Sequence, residues 1–170
     1  MIVVVCLAVM ASPSAAAETE QRRPFPNFTL ATLDGSGSVE IENFRGRPVL
    51  LTFWASWCGP CRVELPELAA LYRELAGEGF VLLTVNVDNS PRIAERYLGQ
   101  LGLKIPVYRM EQRDIAALNI TGLPTNILID RSGSVAMATA GYTDTMPDTI
   151  RSLVEGMADE PTESGYRMDR

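Results

Sequence analysis

Two segments of the chain are apolar almost without interruption, and each has the length of a strand. Val49–Ala55 and Phe80–Val87 are rich in leucine, aromatic and β-branched residues, which is typical of strands buried on both faces. Between them, apolar side chains recur at positions 65, 68, 69, 72, 75 and 76, the spacing of a helix with one apolar face. The pattern predicts a strand, a helix that runs from Cys61 to about Gly77, and a second strand.

A hairpin is predicted on each side of this unit. Residues 28–30 and 39–41 alternate in polarity around the turn-forming segment Asp34–Gly37. Farther along, Thr125–Asp130 and Val135–Ala140 flank a polar turn that contains glycine, which predicts a second antiparallel pair.

The remaining patterns are shorter. One pattern predicts a helix that begins at Ser90-Pro91 and ends at Gly102, with Ile93, Tyr97, Leu98 and Leu101 on its apolar face. A short edge segment is predicted at Pro106–Tyr108, followed by a brief helix at Arg113–Leu118. A last helix is predicted at Pro147–Met157. The early strand–helix–strand units imply parallel pairing, and the late hairpin adds antiparallel strands. We therefore expect an α/β fold, with a mixed central sheet, helices on both faces and an N-terminal β-hairpin.

The two ends of the chain differ from this pattern. Ile2–Ala11 is an apolar run too short to span a bilayer, and Ala15–Ala17 offers a cleavage site, although no lysine or arginine precedes Arg22. Residues 1–17 are interpreted as a signal peptide or the remnant of an N-terminal anchor, and the protein is expected to be exported. The alternative is that this apolar run is a buried N-terminal segment of the fold. The polar residues 18–26 are interpreted as a linker, 27–158 as the folded domain, and 159–170 as a mobile tail.

Composition narrows the function further. The 15 basic and 21 acidic residues give a net charge of −6, and the chain of 170 residues contains no histidine. An acidic chain of this kind argues against a nucleic-acid surface. Any catalytic triad or metal site that requires imidazole is excluded, so acid–base work falls to carboxylates, thiols, tyrosines or lysines.

The candidate chemistry lies in Trp57–Cys61, between the first strand and its helix. Cys58 and Cys61 are three residues apart at a helix start, which brings their Cβ atoms to about 5–6 Å, close to what a disulfide needs. Free N–H groups and the helix dipole favour a thiolate at Cys58. The pair therefore indicates a redox site. The alternative, two structural thiols or half a zinc site, lacks a histidine or a second pair of cysteines.

Two motifs resemble a known family. Phe53–Arg62 is similar to the active-site stretch of thioredoxin-fold thiol–disulfide oxidoreductases, and Gly122–Asp130 resembles their cis-proline loop and following strand. The N-terminal hairpin, the export signal and an extra helical segment before the second motif match the TlpA/ResA-like branch. The resemblance covers about Phe25 to Gly156 and implies a thioredoxin-like fold.

The resemblance also implies roles for individual residues. Cys58 would be the exposed nucleophile, Cys61 the buried resolving thiol, and Glu64 an acidic group that helps proton movement. The alternative for Glu64 is a solvated residue of the first turn, favoured by the helix dipole. Asn126 stands where threonine or an aromatic residue is more common, which leaves substrate preference open.

Substrate contacts are expected around the cysteines. Leu123–Pro124 would be a cis peptide that faces the disulfide, and the backbone of Leu123 would pair with a substrate segment. Trp57, Gly59 and Pro60 would complete this surface, although Trp57, like Trp54, has the alternative of a core or rim aromatic. In this fold the Gly59-Pro60 dipeptide is associated with reducing behaviour.

These features predict an extracytoplasmic oxidoreductase, in the bacterial periplasm and either soluble or tethered, that reduces protein disulfides. Its partners would be disulfide-bearing proteins and, by resemblance, a membrane electron donor; we expect a monomer. No metal and no cofactor beyond the redox-active Cys58–Cys61 disulfide is expected. Two alternatives stay open: a disulfide oxidase or isomerase on the same fold, and a protein that carries Cu(I) on its soft thiolates.

Overall fold

Seven strands form one mixed sheet in the computed structural model, which describes residues 23–158. The strands are β1 (Thr29–Thr32), β2 (Ser38–Glu40), β3 (Val49–Trp54), β4 (Val81–Asn86), β5 (Val107–Arg109), β6 (Thr125–Ile129) and β7 (Val135–Ala140). The helices are α1 (Gly59–Glu74), α2 (Pro91–Leu101), α3 (Gln112–Ala117) and α4 (Met146–Ala158), with 3₁₀ turns at Ile41–Phe44 and Leu75–Glu78. Both predicted hairpins and the predicted α/β class are confirmed.

The strand order is β2-β1-β5-β4-β3-β6-β7, with β3 parallel to β4 and antiparallel to β6. Every residue of β3 and β4 is buried. Their even-numbered side chains, such as Leu50 and Trp54, pack against α1, α2 and α4, whereas odd-numbered ones, such as Leu51 and Phe53, pack with α3 and the N-terminal hairpin. Helices therefore cover both faces, and β3 carries the chain from the core directly into the cysteine motif.

Two sequence-based expectations about packing were wrong. The predicted edge segment is the interior strand β5, because the N-terminal hairpin pairs with it through Ala31 and Arg109. On α2, Ile93 and Leu101 are 43% and 39% exposed. The helix buries Ala94 instead, since it shares one face with Tyr97 and Leu98 at helical spacing.

The linker predicted over 18–26 needs a correction at its end. Pro24 forms a bridge with Ser134, and Phe25 is buried in the core, where its N–H donates to the Gly133 carbonyl at 2.8 Å. Because the residues around Phe25 are polar, the sequence pattern did not indicate that this side chain is buried.

The signal peptide predicted over 1–17 and the tail predicted over 159–170 lie outside the described residues. Within 23–158, no helix is both long enough and apolar enough to cross a membrane.

Candidate active site

Cys58 occupies the junction between the central strand and the first helix. It is the N-cap residue of α1, with extended backbone angles, and its Sγ accepts a hydrogen bond from the N–H of Cys61 at 3.2 Å. Pro60 follows at the start of the helix, a position where the missing N–H costs nothing. A sulfur at this position faces free helix N–H groups, which stabilise its thiolate form.

Cys58 and Cys61 form a disulfide, with their Cα atoms 5.3 Å apart. Cys61 is fully buried, as the resemblance implied for a resolving thiol, but Cys58 is only 5% exposed. The expectation that Cys58 is exposed is therefore wrong for the disulfide form of the protein. Both cysteines pack in one apolar cluster with Trp54 and, at its margin, Leu123.

A groove of about 690 Å³ opens beside Cys58. It is lined by Trp57, Cys58, Gly59, Pro60, Val87, Asn89, Gln112, Ile115, Ile120, Thr121, Gly122 and Leu123. These side chains carry no formal charge, so the groove suits a neutral or apolar segment rather than a charged one. Trp57 stands 72% exposed at this groove, whereas Trp54 is a core residue.

The second motif meets the first at this groove. Leu123–Pro124 is a cis peptide, as expected, and Leu123 lies with Trp57, Gly59 and Pro60 in the lining. Pro124 is buried and does not belong to the lining itself. The structure thus brings four of the five expected substrate-binding residues to one surface.

A buried carboxylate that sequence reasoning missed holds the turn before Cys58. Asp88 accepts hydrogen bonds from the N–H and Oγ of Ser56, both at 3.0 Å, and from Nδ2 of Asn86 at 2.8 Å. The signal was present in the sequence. Asp88 follows a buried strand parallel to β3, and the carboxyl ends of neighbouring parallel strands meet at one edge of a sheet.

We expect Asp88→Ala to lower the free energy of unfolding by about 1–3 kcal/mol, because it leaves the buried amide of Asn86 and the partly buried N–H of Ser56 without their acceptor. Urea unfolding measures this loss. Asp34→Ala is the matched control, since Asp34 makes similar turn bonds on the exposed hairpin. Equal losses in the two variants would show that burial of Asp88 contributes nothing.

Glu64 lies on α1 and is fully buried, so its interpretation as a solvated residue of the first turn is wrong. Its Oε1 accepts a hydrogen bond from Nδ2 of Asn126 at 2.7 Å. Burial raises the pKa of Glu64 to about 7; the hydrogen bond from Asn126 opposes this rise, and the charge of Glu67 adds to it. The carboxyl can therefore exchange a proton near neutral pH.

Asn126, the residue that left substrate preference open, lies in the core as a partner of Glu64. It is fully buried and does not line the groove, so it makes no direct contact with a segment bound there. Its Oδ1 accepts a hydrogen bond from Oγ1 of Thr52 at 2.8 Å. Nothing local in the sequence indicates this contact, which depends on the β3–β6 register.

Within residues 23–158, no group of three or more cysteine or carboxylate side chains is placed to hold a metal ion.

Comparisons with known proteins agree with this geometry. The profile of the Redoxin family matches residues 20–154. The thiol-disulfide oxidoreductase ResA of Geobacillus kaustophilus (strain HTA426) is 35% identical over 129 residues, which are 75% of this chain and 73% of that protein. ResA of Bacillus anthracis is 33% identical over 111 residues, 65% of this chain, and the chain spans only 64% of its length.

A solved structure supports the same assignment. The thiol:disulfide interchange protein, a thioredoxin family protein, of Chlorobium tepidum TLS superposes with a TM-score of 0.68 at 29% identity, covering 77% of this chain and 94% of that one. The chain therefore belongs to the Redoxin family and, within it, to the thioredoxin-fold thiol–disulfide oxidoreductases of the TlpA/ResA-like branch.

Proposed function

We propose that this protein is an extracytoplasmic thiol–disulfide oxidoreductase that reduces disulfides in other proteins. The observation that carries the proposal is the Cys58–Cys61 pair at the start of α1, opening onto an uncharged groove. The location rests on the apolar run Ile2–Ala11 with its following alanines and on the resemblance to a branch that acts outside the cytoplasm.

The chemistry runs in two exchanges. The thiolate of Cys58 attacks one sulfur of the substrate disulfide, a mixed disulfide forms, and the other substrate sulfur leaves as a thiolate. Glu64 then takes the proton of the Cys61 thiol, and the resulting thiolate attacks Cys58 Sγ. The Cys58–Cys61 disulfide forms, the second substrate thiolate leaves, and two electrons have passed to the substrate.

The direction of exchange is set by the reduction potential of the pair. Gly59-Pro60 between the cysteines favours a reductant. We expect a potential near or below about −270 mV, whereas a value near about −120 mV would make the protein an oxidant. Equilibration with glutathione buffers of known potential measures it. A reductant in an oxidising compartment needs an electron source, and a membrane donor is the partner that the resemblance implies.

The experiment that tests the function is a covalent trap. Reduced Cys61→Ser protein, incubated with insulin as the disulfide substrate, is expected to accumulate a near-stoichiometric mixed disulfide, because the resolving thiol is absent. Mass spectrometry detects the adduct, and dithiothreitol releases it. The double variant Cys58→Ser/Cys61→Ser is the control. The mixed disulfide is an obligatory intermediate of the proposed cycle. If the wild type reduces insulin but Cys61→Ser forms no adduct with it, the proposal is overturned.

A further inference from the structure

Three buried polar side chains connect the middle of the sheet to α1. Thr52 on β3 lies directly opposite Asn126 on β6 in the strand register, and both side chains face α1, where Glu64 meets them. The hydroxyl of Thr52 donates to Oδ1 of Asn126, and Nδ2 of Asn126 donates to Oε1 of Glu64. None of the three is accessible to solvent. We refer to them as the Thr52–Asn126–Glu64 network.

The Asn126 amide is oriented by its two partners, the hydroxyl of Thr52 and the carboxylate of Glu64. Because the hydroxyl donates its proton to Oδ1, the amide nitrogen is left to face Glu64. The flipped amide would place Oδ1 against an oxygen of the ionised carboxylate, and two acceptors cannot share a hydrogen bond. The network therefore presents a donor to Glu64 and favours its ionised form.

The two carboxylate oxygens of Glu64 are not equivalent. Oε1 is held by Asn126, whereas Oε2 is buried and has no hydrogen-bond partner among the described residues. Cys61 precedes Glu64 by three positions on α1, which makes the two side chains neighbours on one helix face. An ionised carboxylate oxygen without a partner, beside a buried thiol, is a ready proton acceptor.

Among residues 23–158, no cation contributes to the shifted pKa of Glu64. Glu67 lies one turn farther along α1, and its charge opposes ionisation of Glu64. The segment after β7 contributes Tyr142, whose hydroxyl donates to the Glu67 carboxylate at 3.0 and 3.1 Å. The sheet contributes the two neutral side chains of the network. Among these neighbours, the amide of Asn126 is thus the one that favours the ionised carboxylate.

We propose that Asn126 is a positioning residue for the second exchange: it holds Glu64 by Oε1 and leaves Oε2 to take the proton of Cys61. The inference rests on the proposed function and deepens it. The S–H bond of Cys61 breaks, its proton passes to Oε2, and the sulfur's electron pair forms the bond to Cys58 Sγ as the substrate thiolate leaves.

A two-phase assay separates the exchanges. Reduced protein reacts with dithiobis(nitrobenzoate), whose first coloured thiolate reports attack by Cys58 and whose second reports attack by Cys61 on the mixed disulfide. Asn126→Leu is expected to leave the first phase unchanged and to slow the second about tenfold near neutral pH, the scale of losing a hydrogen bond to a charged group. The rise of the second-phase rate with pH should move to higher pH, because Glu64 stays protonated longer.

A matched pair of substitutions controls for the loss of a buried hydroxyl. Thr52→Val should shift the second phase in the same direction by a smaller factor, since it removes only one of the two groups that orient the amide. Thr84 pairs with Thr52 across β3 and β4, is equally buried, and donates to the Pro106 carbonyl at 2.7 Å instead of the network. Thr84→Val should leave the pH profile unchanged.

Several outcomes would overturn the inference. An unchanged second-phase profile in Asn126→Leu is one, and equal shifts in Thr52→Val and Thr84→Val are another. The double variant Glu64→Gln/Asn126→Leu must be no slower than Glu64→Gln, because Asn126 acts through Glu64. If Asn126→Leu does not fold, Thr52→Val carries the test. Failure of the wild type to show a second phase would instead contradict the proposed function.

Discussion

Replacing Cys58 with serine is expected to reduce the turnover of a protein disulfide by about three orders of magnitude or more, as loss of a catalytic nucleophile does elsewhere. A serine hydroxyl is not ionised at neutral pH and does not exchange with disulfides. The fold should persist, because Cys58 caps a helix whose packing depends on Leu65, Leu68 and Leu71. Reduction of insulin with dithiothreitol as electron source measures the loss.

The third cysteine supplies the matched control for this prediction. Cys6→Ser, compared with wild type in the uncleaved chain, makes the same substitution outside the two motifs, and the proposed cycle gives it wild-type turnover. Cys61→Ser should also lose turnover, but it alone should retain a single attack on substrate. Wild-type rates in Cys58→Ser would show that another group is the nucleophile and would end the proposed mechanism.

The redox pair could be predicted from the sequence because it depends on local structure. An apolar strand, two cysteines three apart and the helix periodicity after them all lie within the continuous segment Val49–Ala76. The cis-proline motif required only a second short segment. The structure has the cysteines at a helix start and the cis peptide at Leu123–Pro124, as predicted. Both could be predicted because each motif consists of one turn and the element that follows it.

The contacts that support the pair could not be found in this way. Thr52 and Asn126 are 74 positions apart, and Ser56 and Asp88 are 32 apart. The Ser56–Asp88 contact depends on the parallel β3–β4 pair, which the strand–helix–strand pattern implies without naming the contact. The Thr52–Asn126 contact depends on the β3–β6 register, which no local pattern specifies. The same limit explains why β5 was expected at an edge, since its partner hairpin lies far away in the sequence.

Glu64 is the residue where long-range packing changes the chemistry most, and its burial predicts a specific dependence of stability on pH. Burial raises its pKa from the usual 4.5 to about 7 in the folded protein. Between these values the unfolded chain has released the proton that the folded chain keeps. The free energy of unfolding therefore falls as pH rises through this interval, since the unfolded state binds fewer protons.

Glu64→Gln should remove this dependence. At about 1.4 kcal/mol per pH unit, the interval from 4.5 to 7 corresponds to a change of about 3.5 kcal/mol in the stability difference between wild type and variant. Urea unfolding of both oxidised proteins at intervals between pH 4.5 and 8 measures it. Any fixed cost of the glutamine amide cancels, because that cost does not vary with pH.

The same substitution separates stability from function. Relative to wild type, Glu64→Gln should become progressively more stable as pH rises above 4.5, yet it should slow the second exchange, because glutamine accepts no proton from Cys61. Glu67→Gln is the control: Glu67 is only partly buried and should leave most of the pH dependence in place. Parallel stability curves for wild type and Glu64→Gln would mean that Glu64 ionises normally in the folded protein. A carboxyl that ionised normally would be a poor acceptor for the Cys61 proton, and the proposed second exchange would need a different base.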